Sequence, residues 1–442
     1  MLTPPPVVNF YHWLVAEFGA HWYRHPSRQM VTIGVTGTTG KSTVVYLLAR
    51  ILEAAGYKTA ATSSIEFKIQ NKVRRNSYKM TMPGRMVLQK FLRQAVDEGC
   101  THAVIEVTSE GILQHRHSGV DFDMAVFTNL SPEHIERHGN FEAYKAAKGE
   151  LFKALSKRHK TSGGKPIQTM AVVNLADQNS GYFLQFPADK KIGYRFGANI
   201  QQVNDEITRI VAEDLKVNES GSTFRMHGTE IQTPLLGKFN AENAFAAATA
   251  AVALGVNITT IQKVVAAIRG IPGRMEEIIV EGAPKPFRVF VDYAHTPFAL
   301  ENVYQTVRTI GQAQGMGRLI CVLGSAGGGR DKWKRPEMGK TAGRFCDNII
   351  ITNEDPYDED PRKIMDEVIQ GVHEFLKGAS LQQFVEEILD RRQAIVKAVR
   401  LAQPKDLVMI TGKGSESWMA VEGGKLIPWD DREIVRKALL GR

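Results

Sequence analysis

Val31-Thr32-Ile33-Gly34-Val35-Thr36-Gly37-Thr38-Thr39-Gly40-Lys41-Ser42-Thr43 decides the fold of this 442-residue chain. The apolar run 31–35 reads as a buried strand, and the spacing of apolar residues from Val44 to Ala54 predicts a helix. A Gly-rich turn between a strand and a helix is the context of a phosphate site. Backbone N–H groups and the helix N-terminus face the anion, a lysine reaches the outer phosphates, and a hydroxyl can ligate Mg2+. The strict spacing of such a loop places glycine at position 35, where this chain has Val35, so context carries the reading. The plain alternative is a structural Gly/Thr turn, which Gly40-Lys41-Ser42 at the helix entrance disfavours.

The length calls for two or three domains. With 43% hydrophobic and 23% charged residues, the composition is that of a globular protein. No run of about 18 apolar residues is present, so no membrane span is expected. The Met-Leu-Thr-Pro-Pro-Pro start has no basic region before an apolar core, so no signal peptide is expected. Cys100, Cys321 and Cys346 are scattered, without metal-type spacing, which fits a reduced cytoplasmic location. The net charge of +9 is spread along the chain without a nucleic-acid motif, so anionic small substrates are expected rather than nucleic acid.

Residues 1–30 form an N-terminal extension. Val8 to Tyr23, rich in aromatics, reads as an amphipathic helix packed on the body; the alternative is a membrane-surface or protein-contact helix. Strands are then predicted at Thr101–Val107, Met124–Thr128, Thr169–Asn174, Arg288–Tyr293, Leu319–Gly324, Asn348–Thr352 and Asp406–Thr411. Helical patterns separate most of them, which predicts an α/β protein with mainly parallel sheets. Lys191 to Thr233 reads as a β insertion, and Ile271-Pro272-Gly273-Arg274 as a hinge. The expected domains are 31–272 and 273–442.

Chemistry-bearing residues fall at predicted strand ends, where open α/β sheets bind ligands. Glu106, at the end of one strand, can hold Mg2+ directly or through water. Thr128-Asn129-Leu130-Ser131-Pro132-Glu133-His134 leaves another strand. Lys145 and Lys148 lie i,i+3 on a helix, so one could face inward while the other is solvated. Asn240 and Asn243, expected before the Ala-rich helix 244–254, could cap it or bind a nucleotide base or sugar. Four later polar loops would form one rim: 292–297, the Gly-rich 324–332, the acidic 352–361 and 412–416. Facing the phosphate loop, that rim would complete one active site.

In this order, these stretches resemble the Mur ligase family. They are Thr-Gly-Thr-x-Gly-Lys41, Glu106-Val-Thr-Ser, Asn129-Leu-Ser-x-x-His134, Tyr-x-Ala-Ala-Lys148, Gly-x-Phe-Asn240-x-x-Asn243, Pro-Gly-Arg274-Met-Glu, Asp292-Tyr-Ala-His295-Thr-Pro, Arg330-Asp-Lys-x-Lys-Arg-Pro and Gly412-Lys-Gly-x-Glu416. Within the family the chain is similar to the MurE type, which adds the third amino acid of the peptidoglycan stem peptide. The likeness covers residues 31 to the C-terminus. It implies a P-loop-type central ATPase domain followed by a Rossmann-like α/β C-terminal domain, acting as an ATP-dependent ligase on a muramoyl-peptide acceptor and an amino acid.

The resemblance also implies roles. Gly37, Thr38, Thr39, Gly40, Lys41, Ser42 and Thr43 would cradle the ATP phosphates. Ser42 and Glu106 would hold one Mg2+, and His134 with a carbamylated Lys148 a second. Lys41, Glu106, His134 and Lys148 would be catalytic. Asn240, Asn243, Arg274, Asp292, His295, Arg330, Asp331 and Lys332 would bind ATP. Thr81, Met82, Pro83, Thr108, Ser109 and Arg116 would meet the acceptor. Glu354, Asp355, Tyr357, Gly412 and Glu416 would meet the incoming amino acid. A monomer is expected.

Three departures modify this expectation. About 30 residues before the phosphate loop are too few for the family's UDP-binding domain, which leaves UDP recognition open. The family's diaminopimelate-adding members read Asp-Asn-Pro-Arg where this chain reads Glu354-Asp355-Pro356-Tyr357, so the guanidinium fork for a distal carboxylate is missing. The usual Ser-Ser-His after the Mg2+ glutamate is Thr108-Ser109-Glu110. Two other readings compete. A folylpolyglutamate synthase-like ligase would be revealed by folate-dependent ATP turnover. A partner-dependent Mur-like subunit would need a cysteine zinc cluster, which three scattered cysteines cannot make.

Overall fold

The computed structural model describes residues 6–78, 80–155, 160–162, 165–197, 206–282, 285–313, 315, 317–377 and 384–441. Residues 1–5 of the N-terminal extension and 198–205 of the predicted β insertion lie outside them. The chain divides into two compact units. One comprises residues 1–216, 222–234 and 239–269; the other comprises 217–221, 235–238 and 270–442.

The first unit contains β1 (Val31–Thr36), β2 (Thr59–Thr62), β3 (Glu66–Ile69), β4 (Lys72–Arg75), β5 (His102–Glu106) and β6 (Met124–Phe127). After a separate hairpin, β7 (Thr161–Ser162) and β8 (Lys165–Pro166), come β9 (Met170–Asn174), β10 (Lys190–Phe196), β11 (Ile207–Asn218), β12 (Gly221–Met226) and β13 (Thr229–Thr233). All but β7 and β8 form one 11-stranded sheet, ordered β13-β12-β11-β10-β9-β6-β1-β5-β2-β3-β4. From β2 through β5, β1, β6, β9 and β10 to β11 the pairing is parallel. The hairpin strands β3 and β4 and the pair β12–β13 are antiparallel. The mainly parallel sheet is therefore present, and the stretch expected as an insertion extends it through β10 and β11.

Ile33 and Val35 point to one face of β1 and Thr32 and Thr36 to the other, and all four are fully buried. Helices on both faces account for the apolar runs of β1, β5, β6 and β9. Helix Lys41–Ala54 follows the phosphate loop directly. The Ala-rich helix begins at Lys238, so Asn240 and Asn243 lie inside its first turns rather than before it. That placement, inside the helix rather than ahead of it, corrects where the two residues were expected.

The second unit has a six-stranded sheet ordered β14-β15-β19-β16-β17-β18. Its strands are β14 (Glu276–Glu277), β15 (Arg288–Asp292), β16 (Leu319–Leu323), β17 (Asn348–Thr352), β18 (Phe384–Ile388) and β19 (Leu407–Thr411). All pair in parallel except the edge strand β14. Helices Pro297–Ala313, Lys334–Phe345, Pro361–Leu376, Arg391–Leu401 and Asp431–Leu439 connect or follow the strands. This is the Rossmann-like α/β architecture. The half-buried β18 and the hairpin β20 (Trp418–Val421) and β21 (Lys425–Pro428), of only four or five residues each, were not expected from sequence.

One cysteine expectation is corrected. Cys321 in β16 and Cys346, just after helix Lys334–Phe345, are joined by a disulfide with Cα atoms 6.0 Å apart. A separation of 25 residues along the chain hid this proximity. Cys100 is a free, buried thiol, and burial raises its pKa to about 11. Among the described residues, no helix is long and apolar enough to cross a membrane.

Candidate active site

In the first unit, β2, β5, β1 and β6 are parallel neighbours, so their C-terminal ends share one edge of the sheet. That edge gathers Ser64, Glu106, the phosphate loop and Asn129. Positive φ at Gly37 (152°) and Gly40 (81°) shapes the loop. A Cβ at Gly37 would sit 1.9 Å from Thr128 Oγ1, and one at Gly40 would sit 2.1 Å from Asn243 Oδ1. Both positions therefore need glycine for close approach as well as for conformation. The Thr39 amide and hydroxyl donate to Asn129 Oδ1 at 3.0 and 3.1 Å, and Thr38 N donates to Asn129 O at 2.8 Å. These bonds hold the loop to the end of β6. The Thr38 hydroxyl lies 3.0 Å from Tyr144 Oη.

Lys41 Nζ donates to Thr38 O at 2.7 Å, curling over the loop it would otherwise extend from. Ser42 Oγ is 2.7 Å from Ser64 Oγ, and the Ser64 amide donates to Glu106 Oε2 at 3.0 Å. A hydroxyl and a carboxylate within one bridging residue of each other form an all-oxygen set that suits Mg2+. Ser64, at the end of β2, was missed in the sequence because the short strand Thr-Ala-Ala-Thr carries almost no pattern. Thr43 is buried in the same turn.

Helix Phe141–Ala154 supplies Lys148. Leu151, one turn on, faces the same way and packs against Gly34 of β1. A Cβ at Gly34 would meet Leu151 Cδ1 at 2.7 Å and Phe122 Cε1 at 3.0 Å. The missing side chain therefore lets the helix come close enough for Lys148 Nζ to donate to Gly37 O at 2.7 Å. Lys148 is buried, its ammonium 4.5 Å from the Tyr144 ring centre. Burial, with Lys41 second, depresses its pKa well below the ordinary lysine value, against the pull of Glu133 and Glu106. Lys145 instead pairs with Glu142 at 2.6 Å, which settles which of the two lysines turns inward. Gly34→Ala should overpack this contact, costing about 1–3 kcal/mol. It should also lower turnover by displacing Lys148; wild-type turnover with unchanged thermal stability would refute that geometry.

His134 adopts a left-handed conformation (φ 56°), with Nε2 3.8 Å from Glu133 Oε1. His138 packs edge-on to Tyr144 at 5.2 Å, and burial, with His134 and Lys148, lowers its pKa to about 4. Asn243 Nδ2 donates to Asn240 Oδ1 at 3.4 Å, beside the loop glycine Gly40. Thr108 caps a short helix by accepting from Gly111 N, and Ser109 is buried in that helix. Arg116 is buried too, and burial lowers its pKa to about 10. It donates to Met82 O at 2.6 Å and to Gln114 Oε1 at 2.6 Å. Arg116 therefore braces the loop of Thr81, Met82 and Pro83, of which Met82 and Pro83 are buried.

In the second unit the ends of β15, β19, β16 and β17 also share one edge, so the four expected loops do form a rim. Asp292 accepts from Met275 N at 2.7 Å and Ala294 N at 2.6 Å, and burial raises its pKa. Arg274 lies over the Tyr293 ring at 4.5 Å, and His295 stacks edge-on to the same ring at 4.6 Å. His295 Nδ1 is 2.8 Å from Tyr293 O. Arg330 hydrogen-bonds Tyr357, whereas Asp331 is buried and Lys332 is largely exposed, 3.7 Å from Glu359.

Lys413 is the hub of this rim. It donates to both oxygens of Asp355 at 2.9 and 2.8 Å and to Glu416 at 2.5 Å. Burial alone would lower its pKa, but Glu416 and Asp355 more than offset that and raise it. Glu416 also accepts from Tyr293 Oη at 3.4 Å. Asp355 also accepts from Ala420 N at 2.8 Å, which fixes its carboxylate within the rim. Sequence reading missed Lys413; the signal was its place between two loop glycines. Glu354 is buried, and burial raises its pKa. It lies so near Gly412 (φ 112°) that a Cβ there would be 1.9 Å from Glu354 Oε2. Among the described residues no group of three or more His, Cys, Asp or Glu side chains is poised as a metal centre. The metal candidate is thus the mixed hydroxyl–carboxylate set of the first unit.

Residues 35–251 match the Mur ligase middle domain, and residues 273–414 match the Mur ligase glutamate ligase domain. The UDP-N-acetylmuramyl-tripeptide synthetase of Roseiflexus sp. (strain RS-1) is 36% identical over 433 residues, spanning 96% of this chain and 81% of the relative. The UDP-N-acetylmuramoyl-L-alanyl-D-glutamate--2,6-diaminopimelate ligase of Geobacillus kaustophilus (strain HTA426) is 36% identical over 427 residues, covering 95% and 81%. A solved structure of a ligase of that name matches at 30% identity and TM-score 0.60, covering 97% of this chain and 83% of the other. Mycobacterium tuberculosis folylpolyglutamate synthase with ADP matches at TM-score 0.66 and 19% identity, covering 90% and 91%, a likeness of fold alone.

Proposed function

We propose, from the premise that this chain belongs to the Mur ligase family, that it joins a diamino acid to the carboxylate of a muramoyl-peptide acceptor. Members are ATP-dependent ligases that use Mg2+. The observation that carries this reading is the convergence of Lys41, Ser42, Glu106 and Lys148 on one phosphate loop.

The acceptor carboxylate attacks the γ-phosphorus of ATP, the bond to ADP breaks, and an acyl phosphate forms. Lys41 leaves Thr38 O and follows the charge on the transferred phosphoryl. The loop amides and the N-terminus of helix Lys41–Ala54 hold the other phosphates. Bound at Ser42 and Glu106, Mg2+ would supply charge neutralisation there. The amine of the incoming amino acid then attacks the acyl carbon, and collapse releases phosphate and leaves an amide. Lys148, depressed in pKa and touching the loop, is suited to react as a neutral amine with CO2. One N–C bond forms and one proton leaves, which turns the lysine into a carbamate ligand beside His134.

The rim of the second unit supports a diamino acid. Glu416 faces it from one loop and Arg330 with Tyr357 from two others, a mixed set that suits the amines and carboxylate of such a substrate. Tyrosine at 357 lacks the fork that grips a second carboxylate, which favours lysine over diaminopimelate. Tyr357→Arg should raise kcat/KM for diaminopimelate relative to lysine by about tenfold. An unchanged ratio would remove this loop from the choice.

The direct test is phosphate release with ATP, Mg2+ and UDP-N-acetylmuramoyl-dipeptide against a panel of amino acids, with product masses read in parallel. Release that depends on one diamino acid, with the matching mass gain, is expected. Turnover on a folate acceptor instead, or release without amide product, would overturn the reading.

A further inference from the structure

Helix Pro6–Trp22 is inverted for a surface helix. Its small residues Ala16, Gly19 and Ala20 are the buried ones. They fit closely: a Cβ at Gly19 would be 2.8 Å from Met86 Sδ, and one at Gly119 would be 2.7 Å from the Ala20 Cβ. The opposite face carries Val7, Phe10, Tyr11, Leu14, Phe18 and Trp22, each between 49% and 78% exposed. Their spacing of three and four residues places them on one stripe. The helix cannot roll to bury that stripe without driving large rings into the contact made by Ala16, Gly19 and Ala20.

We propose that this stripe is a self-association surface, covered by the same helix of a second copy packed antiparallel across a two-fold axis. Three observations select that occupant. An antiparallel pair centred beside Leu14 sets Val7, the smallest stripe residue, opposite Trp22, the largest, and sets Tyr11 opposite Phe18. The stripe thus complements itself in size, as a two-fold contact requires. At ~150–250 Å² for each aromatic side chain, the exposed stripe offers on the order of 700 Å² per copy, close to the ~800 Å² per partner of a standard interface. The helix has no Lys or Arg and only Glu17 as a carboxylate, so it lacks the cationic face by which interfacial helices hold anionic lipid. The protein is then a dimer rather than the expected monomer, and its first unit carries the contact.

Sedimentation equilibrium of the full chain over a concentration series tests this. A reversible monomer–dimer equilibrium is expected for the wild type. Leu14→Glu and Phe18→Glu should each shift it to monomer by at least tenfold in dissociation constant, with far-ultraviolet circular dichroism and phosphate release unchanged. Register is tested by oxidation. Leu14→Cys should cross-link to itself, whereas Val7→Cys should cross-link only when mixed with Trp22→Cys. A wild-type chain that stays monomeric throughout would overturn the proposal. So would a dimer that survives both glutamate variants, or a monomer that binds phosphatidylglycerol vesicles through Trp13 and Trp22 instead.

Discussion

Lys148→Ala is expected to reduce ATP-dependent phosphate release by about 10³-fold or more, a loss on the scale of removing a preorganised charge-stabilising group. The side chain is buried, touches Gly37 O at 2.7 Å and sits on the helix that Gly34 admits to the loop. Its ammonium form is disfavoured first by burial and then by Lys41. A cation there would add to the charge already supplied by Lys41, whereas a carbamate would reverse it. Short carboxylates such as acetate should therefore restore part of the activity of Lys148→Ala, and wild-type turnover should fall when bicarbonate is stripped from the buffer. Full activity of Lys148→Ala would reject the role; lost activity without carboxylate rescue would reject the carbamate but leave the residue essential. Linkage gives a further check. Because the folded-state pKa is depressed, the unfolded chain binds a proton at Lys148 that the folded chain does not. Stability contributed by this site then rises with pH through the window between the folded and the unfolded lysine pKa. Lys148→Met should flatten that rise in CO2-free buffer, measured by urea unfolding across the alkaline range.

The difference between Lys145 and Lys148 shows where sequence stops. Both sit three residues apart on one helix with no apolar cue to choose between them, and the choice is made by Gly34, more than 100 residues away in sequence, through Leu151. The strand–loop–helix at 31–54 was legible because its pattern is local: an apolar run, glycines where φ is positive, and a lysine at the helix entrance. Parallel strands buried on both faces, such as Asn348–Thr352, were legible for the same reason. Ser64, Lys413 and the Cys321–Cys346 bond were not, because each acquires meaning only from a partner brought close by the sheet order. Asp355 was singled out from its acidic run, but its bonds to Lys413 and the Ala420 amide could not be read there.

Arg391→Ala should destabilise the second unit by about 3–5 kcal/mol, the range for breaking a buried ion pair from one side. Arg391 and Asp431 side chains are wholly buried and bonded twice, Nε to Oδ1 at 3.0 Å and Nη2 to Oδ2 at 2.6 Å. Burial alone would lower the guanidinium pKa; Asp431 more than offsets it and raises it. Removing the arginine leaves a carboxylate in the core with the Trp429 indole N–H as its remaining side-chain donor, at 2.8 Å. The same guanidinium donates to Thr411 O at 2.8 Å, at the end of β19 where the chain turns into Gly412 and Lys413. The site rim therefore hangs on this pair as well as the core. Two quantities separate those roles. Urea unfolding followed by far-ultraviolet circular dichroism measures the core term. Replacing both partners, Arg391→Met with Asp431→Leu, should recover most of it, since an apolar pair of similar volume removes the stranded charge. The lost bond to Thr411 O is not recovered by that double change, so KM for the amino acid should stay raised while stability returns. If the double variant is as unstable as Arg391→Ala, the stranded carboxylate is not the cause. If KM returns together with stability, Arg391 does not position the 412–416 loop.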